Sequence, residues 1–178
     1  LYSDWKKYDK ALTIFRKSTR LAYQYSPNDA DLIGRSLNNL GLSLVHNSYF
    51  SSGLDTLKLA LPHLRENKYE TYTTYINMAM AYDMLNKEDS CFASIQKAEK
   101  ILSENKKFPA GRLYLYKGTL FVKKGLYKEA IPILEQYVNL QSDPSKIYST
   151  DIYGAYNNLS KAYELGLKDY KQALLYRN

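Results

Sequence analysis

Along most of the chain, large apolar residues recur three and four positions on either side of a small one, the spacing of a single helix face. Gly41, Ala79, Gly118 and Ser160 are the small anchors. Four residues before them stand Leu37, Tyr75, Tyr114 and Tyr156, and three after stand Leu44, Tyr82, Phe121 and Tyr163. A second small residue, Gly53, Cys91 or Ala130, follows twelve positions after the first three anchors; in the fourth unit Ala173 comes thirteen after, one residue late. Leu57, Ile95 and Leu134 come sixteen after, and Ala60, Ala98 and Tyr137 nineteen after. Successive anchors lie 38, 39 and 42 residues apart. The period predicts a repeat of two helices.

A small residue between large ones is a notch in an apolar stripe. It lets a second helix approach closely, and the second small residue supplies the matching notch. Burying each large stripe residue contributes on the order of 1.5–3 kcal/mol, and surface left uncovered by one hairpin must be covered by the next. Breakers agree with this register. Ser26-Pro27-Asn28-Asp29, Phe108-Pro109-Ala110 and Ser142-Asp143-Pro144-Ser145 separate hairpins, while His46-Asn47-Ser48, Asn86-Lys87, Lys124-Gly125 and Gly166-Leu167-Lys168 turn within them. The expected pairs are 32–47 with 50–65, 70–85 with 88–104, 110–124 with 127–141, and 147–165 with 168–178. No strand pattern occurs.

Tyr2, Tyr8, Ala11 and Phe15 keep the spacing of Leu44, Phe50, Gly53 and Leu57, so residues 1–25 read as the second half of another hairpin. The expected organisation is one all-α, right-handed α-solenoid over 1–178: a half repeat at 1–25, then repeats at about 30–65, 70–104, 110–141 and 147–178. Neither end carries a polar cap, so a piece of a longer repeat protein is expected.

Composition refines this picture in two places. The 19 tyrosines outnumber 5 phenylalanines and 1 tryptophan, which suits a fold with much surface, because tyrosine packs along its ring and hydrogen-bonds at its tip. The formal charge is +7. Acids interleave with bases along most of the chain, which disfavours nucleic acid as a partner. Only the first helix, with Lys6, Lys7, Lys10, Arg16, Lys17 and Arg20, is lopsided. One cysteine, Cys91, excludes an intrachain disulfide, and no apolar run has the length of a membrane span. The compartment stays open between cytoplasm and periplasm.

The stretch Gly118-Thr-Leu-Phe121-Val-Lys-Lys-Gly125-Leu-Tyr127-Lys-Glu-Ala130 resembles the tetratricopeptide repeat family from small anchor to small anchor. Leu40-Gly41-x-x-Leu44, Ala162-Tyr163 and Tyr170-Lys-Gln-Ala173 follow it too. Three residues depart from the family pattern: Glu88 replaces a turn aromatic, Lys117 a core aliphatic, and Tyr137 a small residue. The resemblance implies a non-enzymatic module that binds a peptide or protein. Long, tyrosine-rich units are similar to the repeat arrays of bacterial signalling proteins, among them sensor histidine kinases, transcriptional regulators and peptide-pheromone-binding regulators. That implies a sensor or scaffold region, with a histidine kinase as one candidate parent. A structural spacer or self-association solenoid is the alternative, and a basic nucleic-acid-binding array a third.

In this family the first helix of each hairpin lines the ligand groove. Positions six, three and two before each anchor, and one after, lie opposite the core stripe. They read Arg35, Asn38, Asn39 and Leu42; Thr73, Ile76, Asn77 and Met80; Arg112, Leu115, Tyr116 and Thr119; Gly154, Asn157, Asn158 and Lys161. The candidate binding residues are Arg35, Asn38, Asn39, Thr73, Asn77, Arg112, Tyr116, Asn157, Asn158 and Lys161. An asparagine amide can both donate to and accept from a peptide backbone, and Arg35, Arg112 and Lys161 could hold a carboxylate. Against the carboxylate clamp of chaperone-binding members, Asn77 and Arg112 match loosely, while Asn38, Leu42 and Tyr116 do not. His46 and His63 have no ligand spacing with Cys91, and no phosphate loop or nucleophile motif occurs. No metal or cofactor is expected.

Overall fold

The computed structural model describes residues 2–141 and 150–177, with side chains from Asp9 onward and, after the gap, from Asp151. The sequence-predicted breaker at 142–145 and the start of the helix expected from 147 lie outside the described residues, as do the side chains of Tyr2, Lys6, Lys7 and Tyr8. Backbone contacts divide the chain into two compact units, 1–108 and 109–178.

Among the described residues the protein is all-helical, with nine α-helices packed pairwise. The first unit holds α1 (Tyr2–Tyr25), α2 (Ala30–His46), α3 (Phe50–Ala60), α4 (Lys68–Met84) and α5 (Glu88–Glu104). Pro62 ends α3 by converting its continuation, Leu61–Leu64, into a 3-10 turn. Asp29 and Asn67 cap α2 and α4, each accepting from the amide three residues on, at 2.9 and 3.0 Å. The second unit holds α6 (Gly111–Lys123), α7 (Tyr127–Leu140), α8 (Thr150–Ala162) and α9 (Tyr170–Leu175), with a π-helical turn at Tyr163–Leu167.

The notches are where the spacing puts them. A Cβ added to Gly41 would lie 2.7 Å from Leu57, and one added to Gly53 would lie 2.7 Å from Val45 and 2.9 Å from the Gly41 carbonyl. One added to Gly118 would lie 2.5 Å from Leu134. Ala79, Cys91, Ala98 and Ala130 are buried at the same stations. Each hairpin therefore closes on a residue too small to obstruct its partner.

The turns inside the hairpins repeat as faithfully. Ser48, Asn86 and Gly125 all adopt positive φ. The following amide then donates back to the residue three after the anchor: Tyr49 to Leu44, Lys87 to Tyr82, and Leu126 to Phe121, at 2.9, 2.9 and 2.8 Å. These are the six-to-one bonds that close a helix C-terminus. The fourth turn differs by one residue. Its positive-φ residue is Lys168, and Asp169 donates to Tyr163 across one more position, at 3.1 Å. The π-helical turn absorbs that residue, which is why Ala173 follows its anchor by thirteen rather than twelve.

The departures from the repeat pattern are compensated locally. Tyr137 is buried, and its ring lies 3.6 Å from where a Cβ of Gly111 would stand. In the second repeat the sizes are exchanged between these stations, with Tyr72 large and Ala98 small, both buried. Lys117 sets its ammonium 5.3 Å from the centre of the Phe121 ring, one turn on. Glu88 opens α5, where a carboxylate suits the helix N-terminus.

Candidate functional site

In the first unit, α2 and α4 are the first helices of successive hairpins and pack side by side. Asn38, Thr73 and Asn77, expected on an open groove face, are 4%, 9% and 1% exposed. The reason is the seam between the two helices. A helix wheel drawn for one first helix shows its polar face, but part of that face is taken by the next first helix.

The seam is a closed polar relay. Asn77 Nδ2 donates to Asn38 Oδ1 at 2.8 Å, and Asn38 Nδ2 donates to Glu70 Oε2 at 3.2 Å and to Thr73 Oγ1 at 3.4 Å. Thr73 donates in turn to the Glu70 carbonyl at 3.0 Å. One turn away Asn67, the cap of α4, donates to Asp31 at 2.6 Å, and Asp31 also pairs with Arg35 at 2.9 Å. Buried amides joined in this way hold two helices in register, and breaking one strands the other. Arg35 and Asn39 remain exposed on α2. The sequence reading missed Asp31, Asn67 and Glu70, although the cap pattern Asn67-x-x-Glu70 marked the place.

In the second unit, α6 and α8 adjoin in the same way. Here the rung is Asn158 Nδ2 donating to Thr119 Oγ1 at 2.9 Å, in an exposed setting. The donor and acceptor are 39 residues apart, as Asn77 and Asn38 are. Leu115 stands where Asn38 does in the first unit, so the donor turns to the hydroxyl on the other side of the anchor. Arg112, Asn157 and Lys161 are exposed on this wall, and Tyr116 and Asn158 are half-buried. Arg112 and Lys161 put two cations, and Asn157 an amide, at the surface of this wall.

Behind this wall lies a tyrosine cluster. Tyr163 donates to Glu135 Oε1 at 2.6 Å and stacks on Tyr176, with ring centres 5.8 Å apart. Burial, then the hydrogen bond and charge of Glu135, push the Tyr163 phenol well above its ordinary value. Burial also raises Tyr137 and Tyr176. In the first unit Asp83 is buried, and in the second Glu164 pairs with Arg177. Cys91 is a buried packing residue. Among the described residues no group of three or more His, Cys, Asp or Glu is placed to hold a metal ion, and no helix is long and apolar enough to cross a membrane.

Residues 111–144 match the family model for the tetratricopeptide repeat. Among curated proteins, none matches the sequence significantly. Solved structures do resemble the fold. BtubC (BKLC) from P. vanneervenii is 17% identical with a TM-score of 0.77, over 96% of this chain and 70% of that one. A kinesin light chain candidate from Podosopora anserina with nearly identical TPR-like repeats is 12% identical with a TM-score of 0.67, over 99% and 90%. TTC0263, a thermophilic TPR protein in Thermus thermophilus, is 19% identical with a TM-score of 0.60, over 99% and 92%. The hairpins are tetratricopeptide-like helix-turn-helix repeats, an architecture that generally serves as a protein-binding scaffold and is typically non-catalytic.

Proposed function

We propose that this chain is a non-catalytic binding module whose ligand is a peptide or protein segment bearing carboxylates, laid against the α6–α8 wall of the second unit. One observation carries the reading: Arg112, Asn157 and Lys161 stay exposed around half-buried Tyr116, on two adjoining first helices. Arginine and lysine would take carboxylate groups, and the exposed amide of Asn157 would meet the ligand backbone. The tyrosine would supply contact area at small entropic cost. The wider role as the sensor or scaffold region of a bacterial signalling protein rests on the length and tyrosine content of the repeats.

Peptides selected from a random display library on this protein, and measured by fluorescence anisotropy, test the wall. The expected peptides are acidic and lose at least about tenfold in affinity on Arg112→Glu with Lys161→Glu. Unchanged affinity with an unchanged fold refutes the wall. Self-association is the second reading, favoured by exposed Tyr170, Leu174 and Leu175 on α9. Sedimentation that stays monomeric at high concentration removes it.

A further inference from the structure

Gly154, inside α8, has no packing reason to be glycine. The glycines at 34, 41, 53 and 118 each admit a neighbour that a Cβ would overlap, at 2.6, 2.7, 2.7 and 2.5 Å. A Cβ built on Gly154 meets nothing within 4 Å among the described residues, and its backbone is helical with no positive φ. Glycine suits a helix interior poorly, because it gives up the most backbone freedom and packs nothing. Alanine would fit here and hold the helix better, so the fold alone does not account for this residue.

The register shows what is missing. Gly154 stands six before its anchor, the station of Thr73 in the second repeat. Thr73 closes the α2–α4 seam: it is 9% exposed and accepts from Asn38 Nδ2 at 3.4 Å, and Asn38 is itself 4% exposed. In the second unit the counterparts are the bare backbone at 154 and Leu115, which is half-buried where Asn38 is sealed. The register therefore leaves a recess the size of one side chain in the α6–α8 seam, with an apolar residue beside it.

We infer that Gly154 is a specificity-determining residue of this wall, and that its recess admits one aliphatic side chain of the bound segment against Leu115. The inference rests on the wall being the binding face. It narrows the ligand to an acidic segment with an aliphatic residue among its carboxylates, whose methyl groups fill the space that Thr73 fills in the first unit.

The test uses the 178-residue protein and the tightest acidic peptide from the display selection, with each of its aliphatic residues replaced in turn by alanine. Gly154→Thr should weaken binding about tenfold or more, and Gly154→Ala about threefold. One of the peptide alanines should cost the native protein about tenfold and cost Gly154→Thr almost nothing, since its recess is already closed. The urea midpoint of Gly154→Ala should rise, so that affinity falls while stability grows, which a damaged fold would not give. Arg112→Glu with Lys161→Glu, measured on the same peptide, separates this inference from the reading beneath it. Binding lost there but full in Gly154→Thr overturns the recess and leaves the wall standing. Unchanged affinity in both removes the wall, and the recess with it. A lower urea midpoint in Gly154→Ala also overturns the inference, because glycine would then be serving the fold. Selected peptides that lack an aliphatic residue overturn it as well.

Discussion

The α2–α4 seam and the α6–α8 wall occupy the same register and are built from similar residues, yet they differ in what they leave for a ligand. In the first unit Asn38 and Asn77 are sealed and bonded at 2.8 Å, with Glu70 and Thr73 completing the set. In the second unit the equivalent rung, Asn158 to Thr119, lies in the open, and basic side chains surround it. Leucine at position 115 in place of asparagine at position 38 is the local cause, because it removes the partner that would draw the amide inward. A polar helix face is thus two different objects. Between two helices it fixes their register; outside them it is available for recognition.

The largest expected effect separates these roles. Asn77→Ala removes the amide donor and leaves Asn38 Oδ1 buried without that bond, so it should cost about 2–3 kcal/mol. Asn158→Ala breaks a bond that water can replace and should cost less than about 1 kcal/mol. Urea unfolding of the two variants, followed by far-UV circular dichroism, compares them directly. Equal losses would mean that the two rungs do the same work. In Asn38→Ala/Asn77→Ala the losses should fall short of additive, since both residues belong to one relay.

How much of this was legible in the sequence follows from what each residue touches. The hairpins could be read because close approach admits few residue types: Gly41, Gly53 and Gly118 are small because a Cβ would meet Leu57, Val45 and Leu134. The late position of Ala173 was visible as a count, but its form as a π turn was not, since a sequence records the extra residue without the hydrogen bond that accommodates it. Tyr137 looked anomalous because its column was read alone; across the hairpin, Gly111 makes room for its ring. Asn38 and Asn77 looked exposed for a related reason. A helical wheel identifies a face opposite the hairpin partner, but a first helix has a second neighbour, and that neighbour lies 39 residues away in sequence.

A smaller effect belongs to the second unit at alkaline pH. Tyr163 has a folded pKa raised above its ordinary value of 10.0, first by burial and then by Glu135. The folded protein therefore keeps a proton that the unfolded chain gives up. This contribution to stability is complete below about pH 10 and is lost as the pH rises through the folded value. Thermal midpoints above about pH 10 should fall less steeply with pH for Tyr163→Phe than for the native chain. Some slope should remain, because Tyr137 and Tyr176 are raised in the same direction. Identical slopes would show that Glu135 and burial do not hold the proton there.

The smallest expected effect has the opposite sign. Ser160 occupies the same station as Gly41 and Gly118, is 3% exposed, and its hydroxyl has no hydrogen-bond partner among the described residues. At Gly41 the notch is full, with Leu57 and the Gly53 carbonyl crowding any added methyl. At position 160 a Cβ is already accommodated, so Ser160→Ala only removes a desolvated oxygen and supplies a better helix former. Stability should rise by up to about 1 kcal/mol, read as a higher urea midpoint at unchanged slope. A lower midpoint would mean that the hydroxyl is satisfied in solution, and that the notch at Ser160 is lined by water where the notch at Gly41 is filled by Leu57.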